Sequence, residues 1–262
     1  QKENYPLNLT KDIYLAEIAV VTGASSGIGE ATARALSKSG FQVIAAARRI
    51  DRLEKLAAED PNIKAVLLDV TDQNSVDELA KSLIGKPVSI LINNAGGAFD
   101  GDSVLNSDPK VWQETYDVNV VGAVRVTKAI APIMKDHGRG HIVIISSTAG
   151  YIAYENGGSY VAAKHGDVAL ARTLRLELAG EPIRVTEIAP GMVKTEEFAK
   201  NRFNGDESKA AKIYEGVAEP LTAEDVAEAI RWSVSLPDHF NIDSMVIRPL
   251  AQAAQHKVVR KL

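Results

Sequence analysis

Short, continuously apolar runs alternate along the chain with longer stretches in which apolar residues recur at helical spacing. The short runs are Ile18–Thr22, Phe41–Ala47, Ile63–Leu68, Val88–Asn93, His141–Ser146, Ile183–Ile188 and Ile242–Ile247. Their length and β-branched content predict strands. The longer stretches are Ile28–Ser39, Arg49–Glu59, Asp72–Leu83, Lys110–Lys135, Ser159–Ala179 and Thr222–Leu236, which predict helices. Asp72 is placed to cap its helix, and Gly138 and Gly140 stop the helix before them. Thr222 to Asp225 has capping-box spacing, with Asp where Glu or Gln is preferred. The strands are apolar on both faces rather than alternately, so each face must be covered by helices. That is a parallel sheet.

Seven strands in strict alternation with helices predict one doubly wound α/β domain over 15–250. A TIM barrel is the alternative, but it needs eight strands and would not place a glycine turn after the first. No Pro/Gly/Ser linker and no repeat divides the chain. Residues 1–14 are expected to form an N-terminal arm. The segment 251–262 reads as a tail, basic through Lys257, Arg260 and Lys261, and is a candidate inter-subunit arm.

Composition narrows the function classes. With 45% hydrophobic and 24% charged residues and a net charge of −4, global disorder is excluded. The mild acidity and 5% aromatic content give nucleic acid little to bind. No apolar run is long enough to span a bilayer. Cysteine is absent, which removes thiolate catalysis and cysteine-ligated metals and fits a reducing, cytoplasmic location. Five scattered His form no HxxxH or HExxH pattern, so no metal site is expected.

The first strand runs into Thr22-Gly23-Ala24-Ser25-Ser26-Gly27-Ile28-Gly29. Gly23 suits a tight turn, Gly27 a close backbone approach to a ligand, and Gly29 close helix–strand packing. A diphosphate would sit on the N–H groups that open the helix, beside Ser25, Ser26 and Ile28. The spacing GxxxGxG is neither GxGxxG nor a P-loop. An NAD site would carry a carboxylate at the end of the second strand, but here stand Arg48 and Arg49, with no acid before Asp51. Arg48 offers planar donors to a 2′-phosphate, so NADP is favoured over NAD. Asp69 ends the third strand, where it serves as an adenine acceptor or as a cap. Asn93-Asn94-Ala95-Gly96-Gly97 ends the fourth, as a nucleotide-bordering loop or a plain turn. These features make the doubly wound sheet Rossmann-like.

Tyr160 and Lys164 lie four apart at a helix start and share a face. An unperturbed tyrosine, with a pKa near 10, is a poor base at neutral pH, and a neighbouring ammonium favours its phenolate. Ser146 and Ser147 end the preceding strand, where open-sheet sites form. Such a set suits moving a proton at a carbinol or carbonyl oxygen while hydride moves at carbon.

Together these motifs resemble the short-chain dehydrogenase/reductase family from Leu15 to Pro249: Thr22 to Gly29, Asn93 to Gly96, Asn119, Ser147, Tyr160-xxx-Lys164 and Pro190-Gly191. The resemblance implies an Asn119–Ser147–Tyr160–Lys164 tetrad. Tyr160 would be the acid/base, and Lys164 would hold the nicotinamide ribose and favour the phenolate. Ser147 would hold the substrate oxygen, and Asn119 would support a water of the proton relay. It implies further that Pro190, Gly191, Val193 and Thr195 line the nicotinamide. Asp69 and Val70 would flank adenine, while Asn93, Ala95 and Gly96 border the adenosine ribose. Arg202-Phe203-x-Gly205-Asp206 and Leu236-Pro237-x-His239-x-Asn241-Ile242 are similar to the subgroup that oxidises serine and other 3-hydroxy acids with NADP, typically as homotetramers. Arg202 is then a candidate carboxylate anchor. Within the reductases, a carbonyl or ketone reductase of another substrate class (ketone, steroid, sugar or acyl carrier) stays open; a non-catalytic nucleotide-binding protein and a sugar-nucleotide epimerase are the readings outside them. Against the nucleotide-binding protein stands the complete tetrad, against the epimerase the chain length and the glycine spacing.

Overall fold

A computed structural model describes residues 16–195, 197, 201–202 and 205–261. The expected arm over 1–14 and Phe203 lie outside the described residues. Seven parallel strands form the sheet: β1 Ile18–Thr22, β2 Gln42–Ala47, β3 Ile63–Leu67, β4 Val88–Asn93, β5 Gly140–Ile145, β6 Ile183–Pro190 and β7 Ser244–Ile247. Their order is β3-β2-β1-β4-β5-β6-β7. The order reverses between β1 and β4, which opens a crevice at the carboxyl ends of those strands.

Helices α1 Gly27–Lys38, α2 Ile50–Glu59, α3 Gln73–Leu83, α4 Pro109–Tyr116, α5 Gly122–His137 and α6 Gly158–Glu177 cover the sheet, with α7 Glu207–Tyr214 and α8 Ala223–Val234 after β6. Two cores result, one on each face. One gathers Val20, Leu91, Ile130, Met134, Ile142 and Val185, the other Val21, Leu36, Ile92, Val143, Ile188 and Ile230. This is why the central strands are apolar at every position. Asp72 caps α3 by accepting from Asn74 N at 3.0 Å. Thr222 and Asp225 form the expected capping box on α8.

Most elements match the expected bounds to within one or two residues, and three differences have an identifiable cause. The single helix expected over Lys110–Lys135 is interrupted by a π-helical segment, Asp117–Val121. There Asn119 Nδ2 donates to the carbonyl of Thr115 at 2.8 Å, taking an acceptor of the preceding turn. Strand β6 continues to Pro190, because Ala189 and Pro190 still pair with Val246 and Ile247. Strand β7 starts at Ser244 rather than Ile242, because the Asn241 side chain bonds both N and O of Val185, each at 3.1 Å, in place of a strand backbone.

The tail, the candidate inter-subunit arm, makes these contacts within its own chain. Gln252–Ala254 and Lys257–Val258 form a small antiparallel hairpin, β8 and β9. Arg260 donates to the carbonyls of Ile213, at 3.0 Å, and Glu215 at the end of α7, and Lys261 N donates to Gly216 O at 2.8 Å. Helix α7 and this hairpin have no counterpart among the elements the sequence predicts.

Candidate active site

Thr22 ties the ends of β1 and β4 together. Its hydroxyl donates to Ile92 O at 3.2 Å and accepts from the backbone N–H groups of Asn94 and Ala95, both at 3.0 Å. The Asn94 amide returns to Thr22 O at 3.0 Å. The crevice at the switch point is thus held by side chains of the glycine turn and of the Asn-Asn loop.

Within the turn, Gly23 and Gly27 have φ of 67° and 54°, in the left-handed region. At Gly29 a Cβ would strike the Gly23 carbonyl. Ser26 is the N-cap of α1 and makes no side-chain capping bond, so the first-turn N–H groups remain for another acceptor. Arg49 reaches across from the end of β2. Its Nε and Nη2 donate to Ser25 Oγ at 3.2 and 2.9 Å, and Nη2 also to Ser26 Oγ at 2.9 Å. Arg48 is exposed beside it.

One cavity of about 690 Å³ runs from this arginine end to the other chemistry. Of the residues singled out in the sequence, Gly23, Ser25, Ser26, Gly27, Ile28, Arg48, Arg49, Asp69, Val70, Ala95, Gly96, Ser147, Tyr160, Lys164, Pro190, Gly191, Val193, Thr195 and Arg202 line it. Gly29, Asn93 and Asn119 stand behind the wall. Asn93 is buried and donates to Thr127 Oγ1 at 2.9 Å, which pins β4 to α5. Asn119 grips Gly97 from both sides: Oδ1 accepts from Gly97 N at 3.1 Å, and Nδ2 donates to Gly97 O at 2.9 Å. Asp69 accepts from the backbone and hydroxyl of Thr71 at 2.9 and 2.7 Å. Burial opposes its charge, but those bonds and the charges of Arg48 and Arg125 hold its carboxyl below the ordinary aspartate range.

At the other end, Tyr160 and Lys164 are buried in the first two turns of α6. The Lys164 ammonium lies 5.6 Å from the Tyr160 ring centre and donates to Ile145 O at 2.9 Å and Asp167 Oδ2 at 2.8 Å. Ser147 caps the 3₁₀ turn Thr148–Gly150 by accepting from Ala149 N at 3.1 Å, and it donates to Pro190 O at 3.4 Å. Ser146, the neighbouring serine, is bound instead to the buried Glu187. Arg202 lies 5.3 Å from the Tyr154 ring and donates to Asn156 O at 2.8 Å. Burial pushes the Tyr154 phenol up to about 12, so it stays a protonated donor at neutral pH.

Several lining residues carried no sequence signal. Glu197 accepts from Ser26 Oγ at 3.0 Å and pairs with Arg52 at 2.5 Å and with Arg49. Partial burial opposes its charge, but hydrogen bonds from Arg49 and Ser26 and the nearby guanidinium charges hold the carboxyl below the ordinary glutamate range. Gln252 accepts from Met192 N at 2.8 Å, and Gln255 accepts from Thr148 Oγ1 at 2.8 Å. Both bring the tail onto the cavity wall. Only the fold reveals them, since isolated glutamines in a C-terminal segment have no motif. Among the described residues no group of three or more acidic or histidine side chains could hold a metal ion, and no helix is long and apolar enough to cross a membrane.

Comparison with known proteins agrees with this arrangement. The profile of the short chain dehydrogenase family matches residues 17–205. An uncharacterized oxidoreductase of Mycobacterium tuberculosis is 49% identical over 237 residues, covering 90% of this chain and 92% of that protein. The NADP-dependent 3-hydroxy acid dehydrogenase of Escherichia coli (strain K12) is 38% identical over 239 residues, covering 90% of this chain and 96% of its own. Among solved structures, the closed form of serine dehydrogenase complexed with NADP+ superposes with a TM-score of 0.87 at 37% identity, over 94% of this chain and 100% of that one.

Proposed function

The chain belongs to the short-chain dehydrogenase family, and we propose that it is an NADP(H)-dependent oxidoreductase acting on a small 3-hydroxy acid such as serine or a 3-hydroxybutyrate-like acid. The observation that carries this is the single cavity with two arginines at one end and Tyr160, Lys164 and Ser147 at the other. NADP(H), when bound, accepts or supplies the hydride. The left-handed turn at Gly27 keeps the wall open to it, and Arg48 and Arg49 provide cationic donors for its 2′-phosphate. The two NADP-linked relatives support that choice of cofactor.

In oxidation, the Tyr160 phenolate takes the substrate hydroxyl proton. Ser147 Oγ donates to the same substrate oxygen, giving up its long contact to Pro190. The Lys164 ammonium, 5.6 Å from the Tyr160 ring centre, keeps a donor for the ribose beyond its two protein acceptors. Asn119, through its double hold on Gly97, keeps the loop that flanks the relay water in place. Arg202, over Tyr154 at the substrate end, anchors the carboxylate. Assembly is read as a homotetramer in the cytoplasm. The exposed Trp232, Phe240, Val246 and Leu250 on α8, β7 and the segments around them support subunit contacts.

The test is NADP(H)-linked turnover in both directions, with NAD(H) beside it, on L-serine, 3-hydroxybutyrate, 3-hydroxyisobutyrate, quinones and aldoses. Hydroxy acids are expected to lead. Preference for a neutral ketone, or near-full turnover by Tyr160→Phe, overturns the reading. Loss of selectivity for acidic over neutral alcohols in Arg202→Ala supports the anchor, and unchanged selectivity removes it.

A further inference from the structure

Lys164 sits on two buried acceptors, and one of them is a carboxylate. Asp167 follows it by one turn of α6, and the Lys164 and Asp167 side chains are only 8% and 2% exposed. Asp167 Oδ2 accepts from the ammonium at 2.8 Å, and among the described residues no group donates to its other oxygen. A hydrophobic residue would fill this place on α6 at lower cost, because an ionised carboxylate this deep is tolerated only beside a compensating charge. Burial, with Glu187 adding to it, pushes the Asp167 carboxyl above the ordinary aspartate range, and among the described residues the charge and hydrogen bond of Lys164 are what pull against that push. The second acid nearby, Glu187 on β6, is occupied by hydroxyls: Ser146, Tyr151 and, at 2.5 Å, Ser244.

We propose that Asp167 is a positioning residue of the proposed reaction, the buried counter-ion that keeps the Lys164 ammonium charged and aimed at the cavity. An ammonium has three donors in a tripod. Ile145 O and Asp167 Oδ2 fix two of them, so the third points where the cavity wall opens. The proposal rests on the reading of Tyr160 and Lys164 as the proton-handling pair.

The charged and titratable groups around the ammonium are few. Its own helix contributes Tyr160 and Asp167, and β6 contributes Glu187, while β5 offers the Ile145 carbonyl. From α4 and the π segment, Tyr116 packs at Gly166, and Asp117 is paired with Arg125 at 2.9 Å. Burial works against a charged Lys164, but Asp167, Tyr160 and Glu187 outweigh it and hold the lysine above its ordinary pKa. Removing the Asp167 charge therefore makes the ammonium lose its proton at lower pH.

The test is the pH profile of kcat for NADP-linked oxidation of the preferred alcohol, from about pH 5 to 11. Asp167→Asn keeps a hydrogen-bond acceptor and removes the charge. The alkaline limb, where the ammonium is lost, is expected to move to lower pH by about one unit or more. Asp167→Glu, which restores the charge, is expected to return that limb toward its original position. An alkaline limb that stays in place in Asp167→Asn overturns the proposal, whether or not kcat falls, because a merely structural residue changes amplitude alone. If Asp167→Asn does not fold, Asp167→Ser makes the same comparison with a smaller neutral side chain, and an unmoved limb there overturns it equally. Tyr160→Phe separates the two readings. An active Tyr160→Phe enzyme removes the tetrad itself, whereas an inactive one beside an unmoved Asp167→Asn limb removes only the counter-ion.

Discussion

The Glu197 carboxylate accepts from the Ser26 hydroxyl at 3.0 Å, so an acid from the segment after β6 rests on the turn between β1 and α1. Its other oxygen pairs with Arg49 and Arg52. These are donors that a phosphorylated ligand in the cavity would also use, so the carboxylate competes with it. Glu197→Gln keeps the size and removes the charge. NADPH affinity in the variant, read by fluorescence titration, is expected to rise about three- to tenfold, less than the worth of a fully buried pair because the arginines are about 40% exposed. Unchanged or weaker binding would show that Glu197 does not compete.

Arg48 carries the cofactor preference in this reading because it is exposed at the rim, whereas Arg49 is already bound to Ser25, Ser26 and Glu197. Arg48→Ala is expected to lower the NADP-to-NAD ratio of kcat/KM by about 10- to 100-fold, the loss of one charge-assisted contact to phosphate. Nearly all of the change should fall on NADP, with the NAD value little altered. A ratio within twofold of the parent would move the preference to Arg49.

Most of the sheet is legible in the sequence because buried parallel strands read as uninterrupted apolar runs. Ile18–Thr22 and Val88–Asn93 match their predicted bounds to the residue. Legibility fails where side chains replace backbone pairing: Asn241 shortens β7, and Asn119 opens the π segment inside a stretch whose periodicity is unbroken. The candidate site follows the same division. Glycine turns and the Tyr160–Lys164 pair announce themselves by spacing. Glu197, Gln252 and Asp167 do not, since each acts by meeting a residue distant in sequence or, for Asp167, by lying under a lysine that could equally have faced solvent.

Gly96 illustrates how tightly the two loops fit. A Cβ there would strike the Asn119 amide oxygen, the atom that accepts from Gly97 N at 3.1 Å. Gly96→Ala must therefore displace either Asn119 or the loop. The expected stability loss is about 1–3 kcal/mol by chemical unfolding, the range for overpacking, accompanied by a fall in kcat. A variant with parental stability and turnover would show that the Asn119 grip on Gly97 is dispensable.

His141 makes the fold acid-sensitive. It is 1% exposed on β5, with Nε2 bonded to Thr186 Oγ1 at 2.8 Å and no partner for Nδ1. Burial, with the charges of Arg184 and Arg139 adding to it, pushes the imidazole down to about 3. The unfolded chain keeps the ordinary value near 6.5. Above that pH neither state binds the proton, and the group adds no pH dependence. Below it the unfolded state takes up a proton that the folded state refuses, so stability falls by about 1.4 kcal/mol per pH unit until the folded value near 3 is reached. Between pH 7 and 5 this amounts to about 2 kcal/mol. His141→Gln retains a polar partner for Thr186 and cannot be charged. Urea unfolding at the two pH values is expected to show a pH-dependent loss about 2 kcal/mol smaller in the variant than in the parent. An equal loss in both proteins would mean that His141 accepts its proton without unfolding the sheet.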